Sequence, residues 1–144
     1  MSYFEAQYWL VISMKREIST REDIQLLVES FYARVMKDDL LGSIFNQLLY
    51  FKWDVHIPVM INFWSTMLLD EVSYKGNPML THIELDKSHP LTQAHFDRWR
   101  ELFFETLDEH FTGERVDEAK RRVKAMEGLM LYKIEQSKKR GFVQ

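Results

Sequence analysis

The chain contains no cysteine. Disulfides therefore contribute nothing to its fold, and zinc–thiolate sites, thiolate ligation of iron and thiol nucleophiles are excluded. The absence accords with a reducing, cytoplasmic setting. Glycine and proline are scarce, at five and three in 144 residues. No Pro/Gly-rich linker, repeat period or low-complexity tract divides the chain, and a chain of this size buries about two-thirds of its unfolded surface around one core. An excess of one charge sign is also missing: the net charge is −3, and basic residues are interleaved with acids except for Lys138, Lys139 and Arg140. No nucleic-acid partner is expected from such a surface. Long apolar runs are missing as well. The stretch 8–14 is too short to span a bilayer, and Glu5 before it with Lys15 and Arg16 after it reverses the charge order of a secretory signal. A soluble cytoplasmic protein with no membrane partner is expected. Strand-like alternation is absent throughout.

What is present is helical periodicity and an abundance of aromatic rings. Ten Phe, four Trp and eight Met, with 14% aromatic residues overall, are many for this length. They can fill irregular gaps between helices, or leave room for something large and flat in the core. Ser19 with Glu22 forms a capping-box signature, and Ile24, Leu27, Val28, Phe31, Tyr32 and Val35 repeat on one face, so a helix is predicted from Thr20 to Met36. A short helix follows over Leu40 to Phe45, then a less regular stretch. From His56 the stripe resumes through Met60, Phe63, Trp64, Met67 and Leu68 to about Glu71, with Pro58 predicted to fray or kink its first turn. Gly76, Asn77 and Pro78 break the chain before a short helix, Met79 to Leu85, that carries His82. Thr92 can cap a helix bearing Phe96, Trp99, Phe103 and Thr106, which Gly113 ends. A last helix from Val116 to Gln136 turns Ala119, Val123, Met126, Met130 and Ile134 inward.

Tyr32, His56 and Trp99 each fall on the apolar face of a different helix, and each carries a hydrogen-bond donor. Singly, such residues are commonly satisfied inside a core. Together they suit a water-poor pocket for a small polar ligand such as dioxygen, whose outer atom gains negative charge on a metal. A haem would need a further neutral imidazole as its axial ligand. Of the five histidines, His89 lies in a loop, His110 near a helix end among acids, and His95 in an exposed first turn. His56 and His82 remain, and spacing alone does not say which of them holds the iron.

The blocks DIQLLVESFYARVMKDDLLGSIFN, WDVH, YKGNPMLTHIEL and HFDRWRELF, in this order, resemble the group III truncated haemoglobins. The resemblance runs from about Ile18 into the C-terminal helix, which sets out residues 18–144 as a truncated globin domain and 1–17 as an N-terminal extension. It implies an all-α, two-over-two helical sandwich around a b-type haem held without covalent attachment, in keeping with the missing CxxCH motif. It further implies that His82 is the proximal iron ligand. Tyr32 and Trp99 become donors to the bound ligand, His56 stands at the distal gate, and Phe45, Met60, Phe63 and Trp64 line the haem. Pro58, two residues after His56, departs from the helix former expected there, and His56 is left three placements: into the pocket, out to solvent, or onto the iron.

The reading that follows is reversible binding of a small gaseous or anionic ligand for transport, storage, sensing or scavenging. An enzymatic alternative is peroxidase-like or nitric-oxide-detoxifying turnover, since donors that hold bound oxygen also hold a peroxide. It would require an outside reductase, because the sequence has no flavin or nicotinamide motif. A haem-free interaction domain or carboxylate-bridged metal bundle is the third reading, against which stands the lack of paired Glu-x-x-His motifs.

Overall fold

A computed structural model of the chain describes residues 2–7, 15–48 and 51–139; the apolar stretch 8–14 and Arg140 lie outside the described residues. Helix α1 (Arg21–Lys37) starts one residue later than the sequence suggests, because its capping box is Thr20 with Asp23 rather than Ser19 with Glu22. The Asp23 carboxylate accepts from the backbone N–H groups of Ser19 and Thr20 at 3.0 and 3.1 Å and from Arg16 Nε at 2.7 Å. Exposed Glu22 reaches none of these donors. The expected stripe from Ile24 to Val35 is buried.

Asp38 ends α1 and caps α2 (Asp39–Gln47), accepting from Leu41 N–H at 3.0 Å and from Arg98 Nε at 2.6 Å. Helix α3 (Trp53–Leu69) passes through Pro58 without a break, so the expected fraying is not found. The proline leaves only the Asp54 carbonyl without its donor, and both residues lie on the exposed face where water replaces it. Asp70, at φ 59°, closes α3 in the left-handed region, and the N–H groups of Asp70 and Glu71 both reach the Ser65 carbonyl. Asn77 caps α4 (Pro78–Ser88) through Leu80 N–H at 3.0 Å. Thr92 and His95 form the capping box of α5 (Gln93–His110).

Two short strands, β1 (Arg16–Glu17) and β2 (Phe111–Thr112), pair in parallel, against the expectation of a chain without strands. Two residues are too few to show a period of two in sequence. Between β2 and α6 (Glu114–Ser137) stands Gly113 at φ 101°, where a side chain would also press on Glu17. The turn there must be glycine, and it ends no helix, since α5 stops at His110.

Helix α1 packs against α3 and α5, and α5 against α6, which gives two pairs of helices laid one over the other. The main core draws on Phe31, Tyr32, Phe63, Trp64, Phe103 and Ala119, among others, from these four helices. Helix α4 stands apart. It packs on α6 and belongs to a second, smaller cluster of Ile83, Met130 and Ile134, with Met79, Leu91 and Phe96 around it. Helices α3 and α4 have no extensive packing on each other. The apolar interior is thus divided, and the division falls between the two helices that carry His56 and His82.

Candidate functional site

On the α4 side the chemistry rests in one imidazole. His82 Nδ1 lies 2.6 Å from the carbonyl oxygen of Pro78, four residues back on the same helix. A carbonyl can only accept, so Nδ1 bears the proton and Nε2 is left with its lone pair. Burial pulls the His82 pKa down, partly opposed by the Pro78 bond. The ring is therefore neutral at neutral pH, the form a metal requires.

Across the division, His56 Nε2 is 2.9 Å from the Tyr32 hydroxyl. Burial, reinforced by repulsion from His82, lowers the His56 pKa to about 4, and burial raises that of the Tyr32 phenol. Both groups are uncharged at neutral pH. Aromatic rings enclose the pair. Phe45 lies 6.3 Å from Tyr32 and 6.1 Å from His56 between ring centres, Trp53 lies 5.4 Å from Tyr32, and Phe51 lies 5.0 Å from His56. Phe51 and Trp53 were not singled out from sequence. They precede the helical stripe in a stretch without periodicity, and the one signal was two aromatics flanking Lys52 just ahead of His56. A surface recess of about 270 Å³, lined by Phe51, Lys52, Val55, His56 and Val59, opens beside them. His56 consequently touches both this recess and the buried phenol.

Trp99 is one ring removed from this group. Its indole meets Phe31 edge-on at 4.9 Å, and Phe31 in turn meets Tyr32 at 4.8 Å. Met60 is one turn beyond His56 and half-buried against the main core, while Phe63 and Trp64 are buried within it. The structure thus brings Tyr32, His56 and Phe45 together, sets Trp99 one ring away, and leaves His82 on the helix that belongs to the second apolar cluster. It places Phe63 and Trp64 deeper. The remaining histidines have local roles or none: His95 Nδ1 accepts from Thr92 N–H at 3.0 Å, His89 follows the end of α4, and His110 ends α5.

Among the described residues no group of three or more His, Asp or Glu side chains could enclose a metal ion. A metal opposite His82 must therefore bring most of its donors with it. A flat apolar macrocycle with a central metal suits the donor set: neutral imidazole with a free Nε2 on one side, uncharged hydrogen-bonding groups on the other, and apolar clusters at both faces.

Comparison with known proteins gives two findings. The chain is 40% identical over 98 residues, 66% of its length and 75% of the relative's, to the group 3 truncated hemoglobin ctb of Campylobacter jejuni. The crystal structure of the group III truncated hemoglobin from Campylobacter jejuni superposes with a TM-score of 0.75 at 33% identity, covering 84% of this chain and 95% of that one. No family model matches the chain.

Proposed function

Because this chain belongs to the group III truncated haemoglobins, we propose that it is a haem protein that binds dioxygen or a similarly small ligand reversibly, with His82 as proximal ligand. The observation that carries this reading is the His82 Nδ1 bond to the Pro78 carbonyl, which fixes the tautomer and aims an unprotonated Nε2 away from its own helix. With no cysteine for thioether links, the group is a haem b, held by Phe45, Met60, Phe63 and Trp64 as well as by His82. When bound, it supplies an iron whose open position takes the ligand.

Tyr32 and Trp99 donate to that ligand. The His56–Tyr32 bond has two senses, and only one serves this role: if His56 Nε2–H donates to the phenol oxygen, the phenol proton is free to point at the ligand. His56 then acts twice, orienting Tyr32 from inside and closing the recess beside Phe51 and Val55 from outside. In the other tautomer Tyr32 donates to His56 and is lost to the ligand.

A second reading has its own support. An imidazole that remains neutral down to about pH 4 beside a phenol can take a proton from a peroxide, which favours peroxidase-like turnover fed by an outside reductant or reductase. The first test is a titration of the protein with haem followed by absorption. A sharp Soret band that saturates at one haem per chain is expected. A spectrum that stays that of haem in buffer would remove both readings.

A further inference from the structure

Aromatic rings continue from Trp99 to the loop between α3 and α4. Trp99 stacks on Phe103 at 4.8 Å and 20°, and Phe103 stacks on Trp64 at 4.8 Å and 24°. Trp64 meets Phe63 edge-on at 5.2 Å, and Phe63 meets Tyr74 edge-on at 5.1 Å. Phe103 is wholly buried and Trp64 nearly so, whereas Tyr74 is only partly buried and keeps some contact with solvent. The far end is held in place. Thr66 Oγ1 accepts from the backbone N–H groups of Ser73 at 3.3 Å and Tyr74 at 3.1 Å, tying the loop to α3. A side chain at Gly76 would overlap the Tyr74 ring, so glycine there lets the phenol lie against the chain.

The order of ring types matters as much as their contact. Indole and phenol are the aromatic side chains that lose one electron most readily, and phenyl is not. Trp99, Trp64 and Tyr74 are therefore stations, with Phe103 and Phe63 as bridges between them at ordinary aromatic packing distances.

We propose that Tyr74 is a surface site of one-electron oxidation, linked through Phe63, Trp64 and Phe103 to Trp99, at which a small phenolic reductant is oxidised while a peroxide is reduced in the pocket. The proposal rests on the haem reading above. Hydrogen peroxide takes up two electrons and two protons and leaves as two water molecules. Each electron is supplied by Tyr74, which releases its phenolic proton to water and becomes a neutral tyrosyl radical. That radical takes a hydrogen atom from the phenolic reductant, so Tyr74 is restored and the reductant leaves as a phenoxyl radical. Two such cycles balance one peroxide.

The experiment locates the radical rather than measuring turnover. The full chain, loaded with haem, receives one equivalent of hydrogen peroxide in the presence of a nitroso spin trap, and the trapped residue is identified by proteolysis and mass spectrometry. The adduct is expected on Tyr74 in the parent. It should be absent from Tyr74→Phe, whose Soret band and carbon monoxide complex are unchanged. In Trp64→Phe, which keeps the stack but removes a station, label should leave Tyr74 and collect at Trp99 or Tyr32. A parent that reacts with peroxide but carries no label on Tyr74 overturns the relay, as does undiminished Tyr74 labelling in Trp64→Phe. A parent without a Soret band overturns the haem reading and the relay with it, so the two failures are distinguished by the spectrum taken before peroxide is added.

Discussion

Tyr32 illustrates how far one side chain can be read from its neighbours. Its place on the stripe of α1 requires a partner for the hydroxyl, and the structure supplies His56 at 2.9 Å. A net hydrogen bond is worth roughly 0.5–1.5 kcal/mol, and more to a charged acceptor. Tyr32→Phe is therefore expected to speed dioxygen release about tenfold or more, since about 1.4 kcal/mol is a factor of ten. Carbon monoxide, bound with less charge separation, should leave at nearly the parent's rate, whereas a change in pocket volume would act on both ligands. Rapid mixing with each ligand separates the two cases. Tyr32 and His56 were legible because helical spacing placed both on inward faces. Phe51 and Trp53, which enclose them, were not, because an irregular stretch gives no period from which to infer direction.

At the scale of elements, caps are more informative than stripes about where helices begin. Asp23 lies in the first turn of α1 with its side chain almost fully buried, and it gathers donors from Arg16, Ser19 and Thr20. Burial opposes its ionisation, yet these hydrogen bonds outweigh burial and hold its pKa below the ordinary carboxylate value. Asp23→Ala should cost about 2 kcal/mol, measured by urea unfolding, because it leaves backbone donors unmatched. The sign with pH follows from the lowered value: the parent's advantage is complete above about pH 5 and disappears as acid protonates the folded carboxylate. A difference between parent and variant that does not shrink in acid would contradict this assignment. The sequence suggested a cap one residue earlier because Ser19 and Glu22 have the right letters at the right spacing. Burial, which decides between Glu22 and Asp23, is a property of the packed helix. The parallel pair β1 and β2 was invisible for a related reason, since it depends on the turn at Gly113 bringing distant residues together.

At the scale of the whole molecule, the helices were legible from periodicity and their two-over-two arrangement was implied by the family resemblance, whereas the division of the core was not legible. The aromatic and Met-rich composition hinted at a large flat occupant, but the split appears only when α4 is seen to share its cluster with α6 and not with α3. Such a helix, with few apolar partners, has low local stability until something fills the space beside it. Hydrogen exchange should find the backbone amides of α4 after Pro78 weakly protected in the haem-free protein and strongly protected after haem is added. The amides of α1, packed on both α3 and α5, should change much less. Equal protection of α4 in the two states would mean that the haem does not join the two clusters.

The assignment of His82 is tested most directly by restoring its ring without its peptide link. His82→Gly removes the side chain and opens a space the size of imidazole on α4. The variant is expected to lose the histidine-ligated spectrum and to release haem faster than the parent, and free imidazole added to the solution should bring that spectrum back. A variant that keeps the parent's spectrum and haem affinity with no imidazole present would show that another residue holds the iron.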